Sequence, residues 1–114
     1  MIVHVEESRE PIAPDDVVRL LSALSDVNRY RIVDLLASAG AEFTCGEIAR
    51  RLSLSPSLLS HHLSVLESAG VIDRRKDGLW TLNRLRRDEL CRRLGALQQL
   101  LQPAGGASSS ALSN

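Results

Sequence analysis

Four short polar side chains, Ser57, Ser60, His61 and Ser64, recur at helical spacing in the stretch Ser55-Pro56-Ser57-Leu58-Leu59-Ser60-His61-His62-Leu63-Ser64. On a helix, Leu59, Leu63 and Leu66 fall on one side and these four on the other. The outer face is small, uncharged and rich in hydrogen-bonding groups. Such side chains can approach base edges closely in a major groove, which admits one helix. Ser55, as the cap, would bring the helix N-terminus and its free N–H groups towards phosphate. Arg50 and Arg51 before it, and Arg74, Arg75 and Lys76 after it, are the cations expected at the phosphate backbone or minor groove. Ser-rich faces also occur on inert surfaces, so the reading depends on what surrounds this helix. His62 borders the Leu59/Leu66 side and is expected to be structural.

The two cysteines are the other reactive groups. Cys45 lies in the first turn of an expected helix, where the dipole favours a thiolate, and Cys91 is followed by Arg92 and Arg93. Either could ligate arsenite or a soft metal, or the two could form a redox-controlled disulfide if their Cα atoms lie within about 7 Å. The plain alternative is that both are packing residues. His4 is a possible extra ligand. Enzyme chemistry is not supported: there is no Gly-rich phosphate loop, no plausible Ser/His/Asp set and no paired carboxylates in an expected pocket. His61 and His62 are adjacent on a helix and make a poor metal pair.

The elements that must position these groups are legible in the pattern. Pro14-Asp15-Asp16 opens a first helix, with Val17, Val18, Leu20, Leu21 and Leu24 as its stripe. Ser25-Asp26 caps a second, marked by Ile32, Leu35 and Leu36 and ending at Gly40. Thr44-Cys45-Gly46-Glu47 has capping-box form and starts a third, with Ile48, Ala49 and Leu52 inward. After a turn at Ser53-Leu54, Ser55-Pro56 opens the fourth. Two short helices about a turn apart describe a helix-turn-helix. The period then changes: residues 71–75 read as a strand, 76–78 as a turn and 79–82 as the returning strand, a hairpin placed as a wing. From Leu85 the helical period returns, with Leu90, Leu94, Leu97 and Leu101 in one stripe up to Pro103. The expectation is a mostly α fold with a small β-hairpin: five helices plus wing, in the order α-α-α-α-β-β-α. A flexible lead-in is expected over residues 1–13, a winged helix-turn-helix DNA-binding domain over 14–102, and a disordered Gly/Ser/Ala tail over 103–114.

Size and composition agree. The chain has 114 residues, 44% of them hydrophobic and only 3% aromatic, so aliphatic side chains must build one small, largely helical core. Two cysteines make no disulfide framework, nothing resembles a signal peptide, and no apolar run spans a membrane, so a reduced cytoplasmic protein is expected. Fourteen basic and fourteen acidic residues cancel, which excludes a uniformly basic coat. The balance is uneven along the chain: residues 1–49 hold four basic and nine acidic side chains, residues 50–93 ten basic and five acidic. That split hints at an electrostatic face.

Residues 23–85 resemble the ArsR/SmtB family of bacterial winged-helix repressors. The resemblance rests on Ala23-Leu24-Ser25-Asp26-Val27-Asn28-Arg29-Tyr30-Arg31-Ile32, on the Leu54–Leu63 stretch around His61-His62, on Val65-Leu66-Glu67-Ser68-Ala69-Gly70-Val71-Ile72, and on Arg75-Lys76-Asp77-Gly78 with Trp80 and Leu82. It implies a homodimeric repressor of transcription, bound to an imperfect inverted repeat in double-stranded DNA and released by an inducer. The first and last helices would form the interface, through Val18, Leu21, Leu90, Leu94, Leu97 and Leu101. Ser57, Ser60 and His61 would approach bases, and Arg75 and Lys76 the backbone.

Metals are common inducers in the family, but its ligand patterns are missing. One family site is a Cys-x-Cys pair at the start of the third helix, where this chain has Cys45 alone. The other needs histidine on the last helix, and residues 85–101 contain none. A thiol redox or sulfur switch and a metal or metalloid bound through cysteine, with help from the partner subunit, therefore both stay open. So does a constitutive repressor with structural cysteines, or a winged helix that binds protein and not DNA. No cofactor is certain.

Overall fold

The computed structural model describes residues 11–103. The expected flexible lead-in and disordered tail, apart from residues 11–13 and 103, lie outside the described residues, as does His4.

Among the described residues, five helices and a three-stranded sheet follow in the order α1 (Pro14–Ala23), α2 (Val27–Ala39), β1 (Phe43–Thr44), α3 (Cys45–Leu52), α4 (Pro56–Ser68), β2 (Ile72–Asp77), β3 (Trp80–Leu85) and α5 (Arg87–Leu100). Local chemistry sets most boundaries. Pro14 occupies the start of α1, with Asp15 and Asp16 in its first turn. The Asp26 carboxylate caps α2 by accepting from the Asn28 and Arg29 N–H groups at 2.8 and 3.1 Å. Gly40 ends α2 in the left-handed region, φ 63°. Thr44 and Glu47 form a complete capping box on α3. Ser53, at φ 55°, makes the sharp reversal between α3 and α4, and Ser55 Oγ accepts from Leu58 N–H to cap α4.

The sheet has one more strand than the two expected. Its order is β1-β3-β2, with Phe43 opposite Asn83 and Thr44 opposite Leu82. The hairpin also turns later than expected. The ladder runs from Ile72 opposite Leu85 to Asp77 opposite Trp80, leaving only Gly78 and Leu79 in the turn. Gly78 has φ 65° and Leu79 is not in the positive-φ region, the pattern of a two-residue type II′ turn with glycine first. Lys76 and Asp77 therefore stay in the strand. β3 continues to Leu85, where the sequence had suggested helix, because Leu85 pairs with Ile72 and Arg86 N–H donates to Val71 O.

The core is aliphatic. Leu20 of α1, Ile32 and Leu36 of α2, Ile48 of α3, Leu59, Leu63 and Leu66 of α4, and Val71 and Ile72 at the start of the wing are all sealed from solvent. Each such Leu or Ile stabilises the fold by about 1.5–3 kcal/mol through burial. Together they clamp α4 by one side against α2, α3 and the sheet.

Candidate nucleic-acid interface

Burial of Leu59, Leu63 and Leu66 fixes the rotation of α4, so Ser57, Ser60, His61 and Ser64 all face outward and are exposed. Ser55 is exposed at the N-terminus of the same helix. His62, one residue on, turns inward. It is 4% exposed, with Nδ1 3.3 Å from Arg29 Nη1 and Nε2 3.8 Å from the Asp26 carboxylate. Arg19 and Ser22 of α1, with His61, Ser64 and Ser68 of α4, line an open groove of about 650 Å³ along the edge of the outward face.

The flanking cations divide into free and engaged. Arg50 and Arg51 are exposed on α3, Arg51 lying over the Phe43 ring at 4.9 Å. Lys76 is exposed on β2. Arg74 departs from the expectation of a backbone contact. It shares a strand face with Ile72, so it points to the core side. There its Nε donates to Asn83 Oδ1 at 2.9 Å, and its other nitrogens lie 3.6 Å from Cys45 Sγ and 3.9 Å from a Glu67 oxygen. Arg75, on the opposite face, is held by a two-pronged bridge to Glu42 at 2.7 and 3.2 Å. The hydrogen bonds from Arg75 keep the Glu42 carboxyl below its ordinary range.

Asn83 had no place in the sequence reading, yet it is fully buried. Its Nδ2 donates to Phe43 O at 3.1 Å and faces Cys45 Sγ at 3.5 Å. No local signal marked it, since Asn83 shares its strand face with Thr81 and Leu85 and reads as an ordinary polar position of the hairpin. Cys45 thus sits half-buried between an amide and a guanidinium, while Cys91 is exposed on α5, and both are free thiols. Among the described residues, no three His, Cys, Asp or Glu side chains come together as a metal site.

The stripe assigned to a dimer splits as well. Val18 (61% exposed) and Leu21 (44%) on α1, Leu94 (45%) on α5 and Leu101 (81%) just past its end are uncovered, and α1 and α5 pack against each other. Leu97 is half-buried. Leu90 is instead part of the protomer's own core at 8% exposure, because α5 starts directly off β3 and its first turn lies against the core.

A helix-turn-helix with an outward polar helix, followed by an antiparallel hairpin, defines a winged helix-turn-helix. A helix-turn-helix domain model matches residues 24–75. A Halobacterium salinarum protein named for ArsR, the arsenical resistance operon repressor, is 46% identical over 63 residues, covering 55% of this chain and 49% of that protein. The biofilm growth-associated repressor of Agrobacterium fabrum is 33% identical over 82 residues, covering 72% of this chain and 68% of its own. Among solved structures, the homodimeric winged helix-turn-helix DNA-binding domain Mb0332 from Mycobacterium bovis is 31% identical with a TM-score of 0.62, covering 76% of this chain and 78% of that one. The chain belongs to the ArsR/SmtB family of winged-helix transcriptional repressors. It spans about half the length of the Halobacterium relative.

Proposed function

We propose that the protein is a cytoplasmic, sequence-specific DNA-binding repressor, acting as a homodimer on an imperfect inverted repeat and released by an inducer. The observation that carries this reading is the outward face of α4, where the side chains of Ser57, Ser60, His61 and Ser64 are exposed and make no hydrogen bond among the described residues. Ser55, Arg50, Arg51 and Lys76 surround that face and suit phosphate contacts. A protein-binding winged helix would present an apolar or acidic face there instead. Residues 14–102 form the DNA-binding and dimerisation unit. The uncovered Val18, Leu21, Leu94 and Leu101 support pairing through α1 and α5, as does the homodimeric state of the Mycobacterium relative. Two α4 helices would then lie about one DNA turn, roughly 34–36 Å, apart.

The inducer acts, in this reading, on a thiol and not through a bound metal ion. Cys45 Sγ faces the Arg74 guanidinium and the Asn83 amide, two donors that suit electron-rich sulfur and repel a second cation. Arg74 also reaches Glu67 on α4, so oxidation or sulfur addition at Cys45 would disturb the element that seats the reading helix. No helix among the described residues is long and apolar enough to cross a membrane.

The test is the affinity of the reduced, metal-free protein for the DNA upstream of its own coding sequence. It is repeated after mild thiol oxidation, then with arsenite and zinc. Oxidation should weaken binding of the wild type and leave a Cys45→Ser, Cys91→Ser variant unaffected. A double variant that is still released would remove thiol sensing and leave both cysteines structural. Absence of specific binding by the reduced wild type would remove the DNA reading altogether.

A further inference from the structure

The wing ends in an apolar apex. Leu79 is 96% exposed, more than any other large hydrophobic side chain among the described residues, and its neighbour Trp80 is 64% exposed. Single exposed hydrophobics need no explanation in general, but this pair has an uncommon position. Leu79 is the second residue of a two-residue turn whose ladder closes at Asp77 opposite Trp80. A turn of this type ordinarily takes Asn, Asp or Ser there. At that exposure, leucine contributes nothing to the fold that serine would not. Val18, Leu21, Leu94 and Leu101 have a prospective partner in the second protomer; Leu79 lies on neither helix of that face.

The apex is too small for a protein-binding site, since stable interfaces bury about 800 Å² on each partner. Its shape suits a minor groove. That groove is about 6 Å wide, enough for one side chain but not for a ribbon whose strands already lie about 4.8 Å apart. The wing is also joined to the cationic side of the reading unit: Trp80 lines a groove of about 370 Å³ with Arg50 of α3, and Lys76 stands in register with Thr81. Charge is mixed at the tip itself, because Asp77 and Glu47 border the same groove. A tip built only for phosphate attraction would not carry Asp77 at the foot of its turn.

We propose that Leu79 is an apolar wedge which the wing inserts into the minor groove beside the site read by α4, partly unstacking a base step and bending the duplex. The inference rests on the DNA-binding reading above. Trp80 would lie at the mouth of the groove, and as the single tryptophan of the chain its fluorescence reports on the wing alone.

The experiment uses the full chain and a duplex selected from a random-sequence pool by the wild type. Affinity, duplex bending by end-to-end energy transfer, and Trp80 fluorescence are measured for the wild type, Leu79→Ser, Leu79→Met and Leu79→Arg. The wild type should bend the duplex and show a Trp80 change on binding. Leu79→Ser should bind about ten-fold more weakly, the order expected for losing burial of one leucine, and leave the duplex straighter, while Leu79→Met keeps both properties. Leu79→Arg should recover affinity through charge, with steeper salt dependence, but not the bend. Leu79→Ser that binds and bends as the wild type does would overturn the wedge and leave DNA recognition intact. A wild type that selects no duplex would overturn both.

Discussion

His61 and His62 are adjacent in sequence and opposite in circumstance. Their rings are 5.6 Å apart and tilted by 51°, yet one faces solvent on α4 and the other is enclosed by Arg29 and Asp26. The difference follows from the 100° step of a helix whose leucine side is fixed by the core. His61→Ala should therefore weaken specific DNA binding about ten-fold, the scale of one lost base contact, and leave the melting temperature unchanged. His62→Ala should destabilise the fold by about 2 kcal/mol through a cavity and an orphaned partner. Parallel binding titrations and thermal melts separate the two; a large loss of melting temperature in His61→Ala would make it structural. This contrast was legible in the sequence because it depends only on helical spacing. Asn83 was not legible: its partners are Phe43 O, forty residues away, and Arg74 across the hairpin. Local pattern carries no trace of such pairing.

At the scale of elements, the beginnings of the helices are encoded locally, whereas their ends draw on distant residues as well as on local stops such as Gly40. Asp26, Thr44 and Ser55 cap α2, α3 and α4 from adjacent sequence, so three starts could be read directly. The C-terminal carbonyls are met by arginines from elsewhere in the fold. Arg29 Nε donates to Ala23 O at the end of α1 at 2.7 Å, and Arg87 to Ala37 O near the end of α2 at 3.0 Å. Arg31 reaches Leu52 O at the end of α3 at 3.1 Å, and Arg93 reaches Ala69 O just past α4 at 2.6 Å. None of α1, α2 or α4 has a basic residue in its own last turn. Each guanidinium thus satisfies an orphan carbonyl and complements the negative end of a dipole. Arg93 is the most committed, 7% exposed and also bound to Glu89 at 2.8 Å. Burial would raise the Glu89 pKa, but the hydrogen bonds from Arg93 and Arg92 outweigh it and lower it. Arg93→Met should cost roughly 2–3 kcal/mol, because it leaves both Ala69 O and the Glu89 carboxylate short of a partner. Chemical denaturation measures this, and an unchanged midpoint would show the cap to be dispensable. Gly70 belongs to the same joint. It has φ 79°, and a Cβ there would lie 2.7 Å from Arg93 Nη2, so glycine lets α5 close on the end of α4.

Across the whole molecule, the uneven charge along the chain does not become a broad basic face. Arg75 is bound to Glu42, Arg84 and Arg86 to Asp73, and Arg92 and Arg93 to Glu89. Folding spends much of the excess positive charge of residues 50–93 on internal bridges, a pairing that counting charges along a sequence cannot foresee. Arg50, Arg51 and Lys76, beside the reading helix, form no salt bridge among the described residues, although Arg50 and Arg51 both lie within the field of Glu47. Three cations on each of two protomers make about six phosphate contacts, so log affinity should fall against log salt with a slope of roughly −5. A slope nearer twice that would mean the bridged arginines open to meet DNA. The same bridges determine the acid response. Asp26 is held below its usual range first by the Arg29 N–H, Glu42 by Arg75, and Glu47 by the Thr44 N–H. For a carboxylate whose folded pKa is depressed, the stabilisation is fully present above the unfolded value of about 4 and disappears as pH falls through the folded one. The melting temperature should accordingly be level from neutrality down to about pH 5 and fall steeply below the ordinary carboxylate range. Glu42→Gln separates the bridge from general charge repulsion, since it removes one depressed carboxylate and frees Arg75. It should melt lower at neutral pH and show a shallower acid decline, and curves that stay parallel to the wild type at every pH would mean that Glu42 contributes nothing to the acid transition.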